Sequence, residues 1–126
     1  DRLFGASLFV LSAVMSKTQP KWCVCDAGIK AVSVDSGPPE VHRVIHDEST
    51  VQPTDGQSRY GVQWTSGGDE HGLITGEGVK TLNTGDLLFL QPGHVDPTFN
   101  MYDYVVMVRG DSVEDVFQID ARGPGR

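Results

Sequence analysis

The sequence predicts an all-β domain, a sandwich or a distorted barrel, on three observations. Short runs rich in β-branched and apolar residues recur at close spacing, and turn residues separate them. No segment carries three turns of 3.6-residue periodicity with caps. The 15 glycines and 7 prolines supply the breaks that such short strands require. A length of 126 residues fits one domain with its own core, and residues 1–126 read as that domain.

The elements follow in order. Residues 6–15 (ASLFVLSAVM) read as a buried first strand, and residues 21–26 (KWCVCD) as a second after the turn at 18–20. Residues 27–35 (AGIKAVSVD) are an extended or turn-and-strand segment, which residues 36–39 (SGPP) break. Residues 41–45 form a short strand, with β-branched side chains at Val41, Val44 and Ile45. Residues 46–59 are polar, contain Pro53 and Asp55-Gly56, and read as a surface loop or hairpin connection. Strand sequence returns at 59–65, a loop follows at 66–69, and the turn at 83–86 launches a strand over 87–90. Residues 92–97 are expected to be extended, because Pro97 biases Asp96 away from helix. Residues 104–108 and 113–119, joined through 109–112, form a hairpin.

Composition excludes several function classes. A formal charge of −7 does not suit a nucleic-acid surface, which needs Lys and Arg to neutralise phosphates. No apolar run has the length of a membrane span; the best, residues 6–15, is interrupted by Ser7 and Ser12. The chain opens at Asp1 with strand-like sequence soon after, and is expected to be a piece of a longer protein. Cys23 and Cys25 stand two apart, a poor geometry for a disulfide, and read as small buried hydrophobes in a reducing, intracellular setting.

The sharpest chemical feature is His94-Val95-Asp96, between Pro92-Gly93 and Pro97. In an extended segment positions 94 and 96 point to one side, where an imidazole and a carboxylate can hold a divalent metal with water and substrate in the other positions. The competing reading is a loop histidine beside a turn-capping aspartate. In Asp69-Glu70-His71-Gly72, two carboxylates precede a histidine that they can tune or orient; the alternative is an acidic turn. His42 and His46 have the separation of zinc ligands on a helix, but their neighbours suggest a strand, and both read as surface histidines. Gly76-Glu77-Gly78 lacks the context of a phosphate loop, and no Ser or Cys nucleophile stands in a recognisable setting.

Taken together, DEHG at 69–72, Gly85-Asp86 before an apolar strand, PGHVDPTFNMYD at 92–103 and IDARG at 119–123 form an ordered series. With SLFVLSAVMS at 7–16 and DAGIKAVSVDSG at 26–37, the series resembles the C-terminal β-domain of D-threonine aldolases and eukaryotic-type D-serine dehydratases. The resemblance implies a β-domain appended to an alanine-racemase-like (β/α)8 barrel, which holds pyridoxal phosphate on a lysine outside this chain. It implies a lyase that splits D-threonine or another β-hydroxy-D-amino acid into glycine and an aldehyde, and a homodimer. It places a divalent metal on His94 and Asp96, with Mn²⁺ expected and Mg²⁺ or Co²⁺ acceptable. His71 is a candidate for a place behind those ligands or facing the substrate. The dehydratase branch carries a cysteine as second ligand and uses zinc; Asp96 fits the aldolase branch. A D-serine dehydratase-like lyase and a free-standing, non-catalytic metal-binding β-module are the alternatives. Lys17, Lys21, Lys30 and Lys80 lack the context of a cofactor lysine, so the chain alone is expected to be inactive.

Overall fold

The computed structural model describes residues 4–54 and 58–124. Seven strands form one antiparallel sheet: β1 (Val10–Ser16), β2 (Trp22–Cys25), β3 (Glu40–His46), β4 (Ser49–Thr50), β5 (Gln63–Ser66), β6 (Gly72–Thr75) and β7 (Leu87–Gln91). Their order is β4-β3-β7-β1-β2-β6-β5. Irregular register between Val14 and Ser16 in β1, and between Val41 and Arg43 in β3, bends these strands. The sheet curls into a half-barrel, with β3 brought against β5. Strands β8 (Tyr104–Arg109) and β9 (Ser112–Gln118) pair separately as a hairpin. Its side chains are largely exposed, Val108 and Phe117 among them.

Period-two alternation, broken in β3 by the irregular register between Val41 and Arg43, explains which side chains fill the half-barrel. Val10 and Val14 of β1, Cys23 and Cys25 of β2, Val41 and Val44 of β3, Ile74 of β6, and Leu88 and Leu90 of β7 point inward and are buried. Full burial of Ile74, Leu88 or Leu90 stabilises the fold by about 1.5–3 kcal/mol each. Polar side chains tie the layers. The Tyr60 hydroxyl donates to the Val51 carbonyl (3.1 Å) and accepts from the Val44 amide (3.3 Å). Trp64 Nε1 donates to the Ala27 carbonyl at 3.0 Å. Both cysteines are free and buried, as their spacing suggested.

The all-β expectation and its barrel alternative hold, with differences in detail. The first strand begins at Val10 rather than residue 6; with Val10 opposite Leu90, β7 ends at Gln91 and offers residues 6–8 no partner. Residues 27–35 hold no strand. Gly28 packs directly on the Asp69 carbonyl and the His71 amide, leaving no space for a Cβ. Within 46–59, β4 pairs with β3; Asp55-Gly56 lies outside the described residues. Residues 92–97 are not extended throughout, because α1 (Val95–Phe99) starts inside them. Pro97 is tolerated there because the first N–H groups of a helix have no partner within it. The Asn100 amide closes the turn on the Asp96 carbonyl at 3.1 Å. Elsewhere a 3₁₀ helix spans Glu77–Thr81. No helix among the described residues is long and apolar enough to cross a membrane.

Candidate metal centre

Strand β7 delivers the chain to the site. Beyond Gln91, His94 adopts an extended conformation (φ −139, ψ 121) as the N-cap of α1, and Asp96 falls in the first turn. The two donors therefore do not share one side of a strand; they sit on either side of a helix start. Thr98, 2% exposed, donates through Oγ1 to the His94 carbonyl at 3.0 Å and accepts the Ser33 amide at 3.1 Å. These bonds fix the backbone that carries His94 to the loop after β2.

That loop also reaches the His94 ring. Asp35 Oδ2 lies 2.7 Å from His94 Nδ1. A carboxylate only accepts, so in the neutral imidazole this contact puts the proton on Nδ1 and leaves Nε2 with its lone pair. Among the described residues Nε2 has no hydrogen-bond partner, and Asp96 is exposed. One imidazole nitrogen and one carboxylate suit Mn²⁺, Mg²⁺ or Co²⁺ with water retained, and thiolate is absent from the pair. No group of three or more His, Cys, Asp or Glu side chains among the described residues is arranged to hold an ion. The donor chemistry of the pair fits a divalent cation.

A cleft of about 810 Å³ is lined by Glu40, Arg59, Trp64 and Gln91 among others, but by neither His94 nor Asp96. Its wall includes Ser36 and Gly93, the residues next to Asp35 and His94 in the chain.

His71 is exposed on the loop between β5 and β6, where its carbonyl accepts the Gly67 amide at 2.9 Å. Its neighbouring carboxylates face Lys30 instead, at 2.8 Å for Glu70 and 4.0 Å for Asp69. The Lys30 ammonium, by hydrogen bond and charge, holds Glu70 below its ordinary carboxylate value. The Ile29 and Lys30 amides donate to the Gly68 and Asp69 carbonyls at 3.2 and 3.0 Å. Residues 28–35 thus brace both the DEHG loop and the start of α1. Among the described residues no hydrogen bond joins His71 to His94 or Asp96.

The other two histidines both make contacts that the surface reading did not foresee. His42 stacks on Phe9 with ring centroids 4.7 Å apart, and burial pushes its pKa down. His46 is no ordinary surface residue: Nδ1 stands 2.6 Å from Oδ1 of Asp86, itself 3% exposed. Sequence reasoning also missed Asp35, Ser33 and Thr98. Only the motif-rich segment 26–37 hinted at a role for Asp35, since its partner lies 59 positions away.

Residues 7–108 match the family described as "Putative serine dehydratase domain". A D-threonine aldolase from an Arthrobacter species is 40% identical over 124 residues, 98% of this chain and 29% of that protein. A 3-hydroxy-D-aspartate aldolase from Paracoccus denitrificans (strain Pd 1222) is 42% identical over 120 residues, 94% of this chain and 27% of that protein. The crystal structure of D-threonine aldolase from Filomicrobium marinum superimposes with a TM-score of 0.73 at 32% identity, over 93% of this chain and 28% of that one. The chain spans under a third of the length of these relatives. It belongs to the serine dehydratase domain family, as a D-serine dehydratase-like C-terminal domain similar to those of D-threonine aldolase and 3-hydroxy-D-aspartate aldolase.

Proposed function

We propose that this chain is the metal-bearing β-domain of a pyridoxal-phosphate-dependent, intracellular aldolase that cleaves β-hydroxy-D-amino acids to glycine and an aldehyde. The observation that carries the reading is an aldolase relative, 40% identical across nearly the whole chain, combined with a half-buried imidazole at 94 and an exposed carboxylate at 96. D-Threonine is the first substrate to try. The 42% identity to a 3-hydroxy-D-aspartate aldolase makes 3-hydroxy-D-aspartate the second.

In this reading an N-terminal barrel holds the cofactor, and two copies form a dimer. Cleavage of the Cα–Cβ bond requires loss of the β-hydroxyl proton while the electron pair is accepted elsewhere. When bound, the cofactor supplies the electron sink and a divalent cation acidifies the hydroxyl. This chain's part is to hold and orient. His94 Nε2 and the Asp96 carboxylate would hold the cation, the Thr98 and Ser33 bonds keep the start of α1 in place, and the cleft beside Gly93 would admit solvent or substrate.

The test uses the full-length enzyme, stripped with chelator and assayed on both substrates with Mn²⁺, Mg²⁺ or Zn²⁺ restored. Mn²⁺ is expected to restore cleavage best, and His94→Ala to abolish the restoration. Full activity in the metal-free enzyme or in His94→Ala would refute the metal reading; no cleavage of either substrate under any metal would refute the aldolase.

A further inference from the structure

We infer that Asp35 is a positioning residue for His94, holding the imidazole in the Nδ1–H form so that Nε2 is the metal donor. The inference rests on the proposed metal role of His94 and adds a residue outside the His-x-Asp pair.

Five contacts carry it. Asp35 Oδ2 accepts from His94 Nδ1 at 2.7 Å, a length typical of a bond to an ionised group. Asp35 is itself held, since its amide donates to Ser33 Oγ at 3.1 Å. The Ser33 amide donates to Thr98 Oγ1, which donates to the His94 carbonyl, so loop and helix start are linked through a buried hydroxyl. Further along, the Tyr102 hydroxyl donates to the Ala31 carbonyl at 2.6 Å and clamps the same loop. The carboxylate thus meets the ring from a braced platform.

Exposure argues that the contact does not serve folding. The Asp35 side chain is 67% exposed and that of His94 42%. An ion pair or hydrogen bond so open to water adds little to stability. Orientation is a different matter. A free imidazole divides its proton between two nitrogens and turns about χ2, whereas a carboxylate on Nδ1 selects one tautomer and one ring direction. Loss of such a partner typically weakens metal binding about 10–100-fold.

The experiment titrates Mn²⁺ into chelator-stripped full-length enzyme, following free Mn²⁺ by electron paramagnetic resonance, for wild type, Asp35→Ala, Asp35→Asn and His94→Ala. Nitrogen-15 spectra of the metal-free proteins report which ring nitrogen of His94 carries the proton. His94→Ala should lose the site. Asp35→Ala should bind about 10–100-fold more weakly with its melting temperature near wild type, and His94 should shift towards the Nε2–H form. Asp35→Asn, of equal size, carries the same expectation in direction should the alanine variant fold poorly. Unchanged affinity and an unchanged tautomer in the Asp35 variants, with binding lost in His94→Ala, overturn the role of Asp35 alone. Binding that survives His94→Ala overturns the metal site and this role with it.

Discussion

His46 and Asp86 close one end of the β3–β7 pair, with Nδ1 and Oδ1 2.6 Å apart one step beyond the last paired residues, Ile45 and Leu87. The second ring nitrogen, Nε2, faces Asp47 Oδ2 at 3.1 Å. A neutral imidazole donates only once, so carboxylates at both nitrogens favour the doubly protonated ring. The Asp86 hydrogen bond, then the charges of Asp47 and Asp86, raise the His46 pKa above 6.5.

A pH dependence follows from the sign of that shift. A raised folded-state pKa stabilises the fold fully below the unfolded value and loses the contribution as pH climbs through the raised one. Melting curves of wild type and His46→Gln should therefore differ most near about pH 6 and converge by about pH 9. A difference that grows with pH would show that the pair works in the neutral state.

The second prediction concerns metal preference. Asp96→Cys replaces a hard oxygen donor with a soft thiolate, which favours zinc and tetrahedral coordination. The full-length variant should gain zinc affinity and lose response to Mn²⁺ in direct titrations. Equal zinc affinity in both forms would place the carboxylate outside the coordination sphere.

His71 offers a third test. If its loop faces the reacting groups, His71→Ala in the full-length enzyme should lower turnover roughly 10-fold or more with melting unchanged. A wild-type rate would leave the DEHG segment as a turn that Lys30 holds against the neighbouring loop.

Gly72 is the fourth. A Cβ there would meet Trp64 Nε1 and the Ala27 carbonyl, the two partners of a buried hydrogen bond. Gly72→Ala should cost about 2–4 kcal/mol by overpacking and loss of that bond. Chemical denaturation measures it, and a loss below about 0.5 kcal/mol would mean that Trp64 repacks freely.

The fifth concerns the thiols. Burial, followed by the charge of nearby Cys25, pushes Cys23 up to about 11. Only thiolate reacts quickly. At about pH 8, thiol reagents should leave native Cys23 and Cys25 untouched and label both on denaturation. Rapid native labelling would show that the half-barrel opens.

Features set by alternation were legible in the sequence. The apolar run at 87–90 announces a strand, and Gly85-Asp86 announces the turn before it. A five-residue helix was not, because Val95–Phe99 is too short to display a period and Pro97 argues locally for extension. His94 and Asp96 stood out through their motif, while Asp35 and the Asp86 partner of His46 did not. Contacts across 59 and 40 positions leave no local mark on either residue.

The braces on His94 arrive from far upstream: Asp35 across 59 positions, Ser33 to Thr98 across 65, and Ala31 to Tyr102 across 71. Loops of that size close late and slowly, so an oriented imidazole exists only once the tertiary structure is complete. A cation that requires that orientation would have little hold on the nascent or denatured chain, and would enter the folding equilibrium as a ligand of the native state alone. At a hundred times its dissociation constant it would add about 2.7 kcal/mol to the folded side. Scarcity of the ion would then shorten the protein's survival against proteases as well as slow its chemistry.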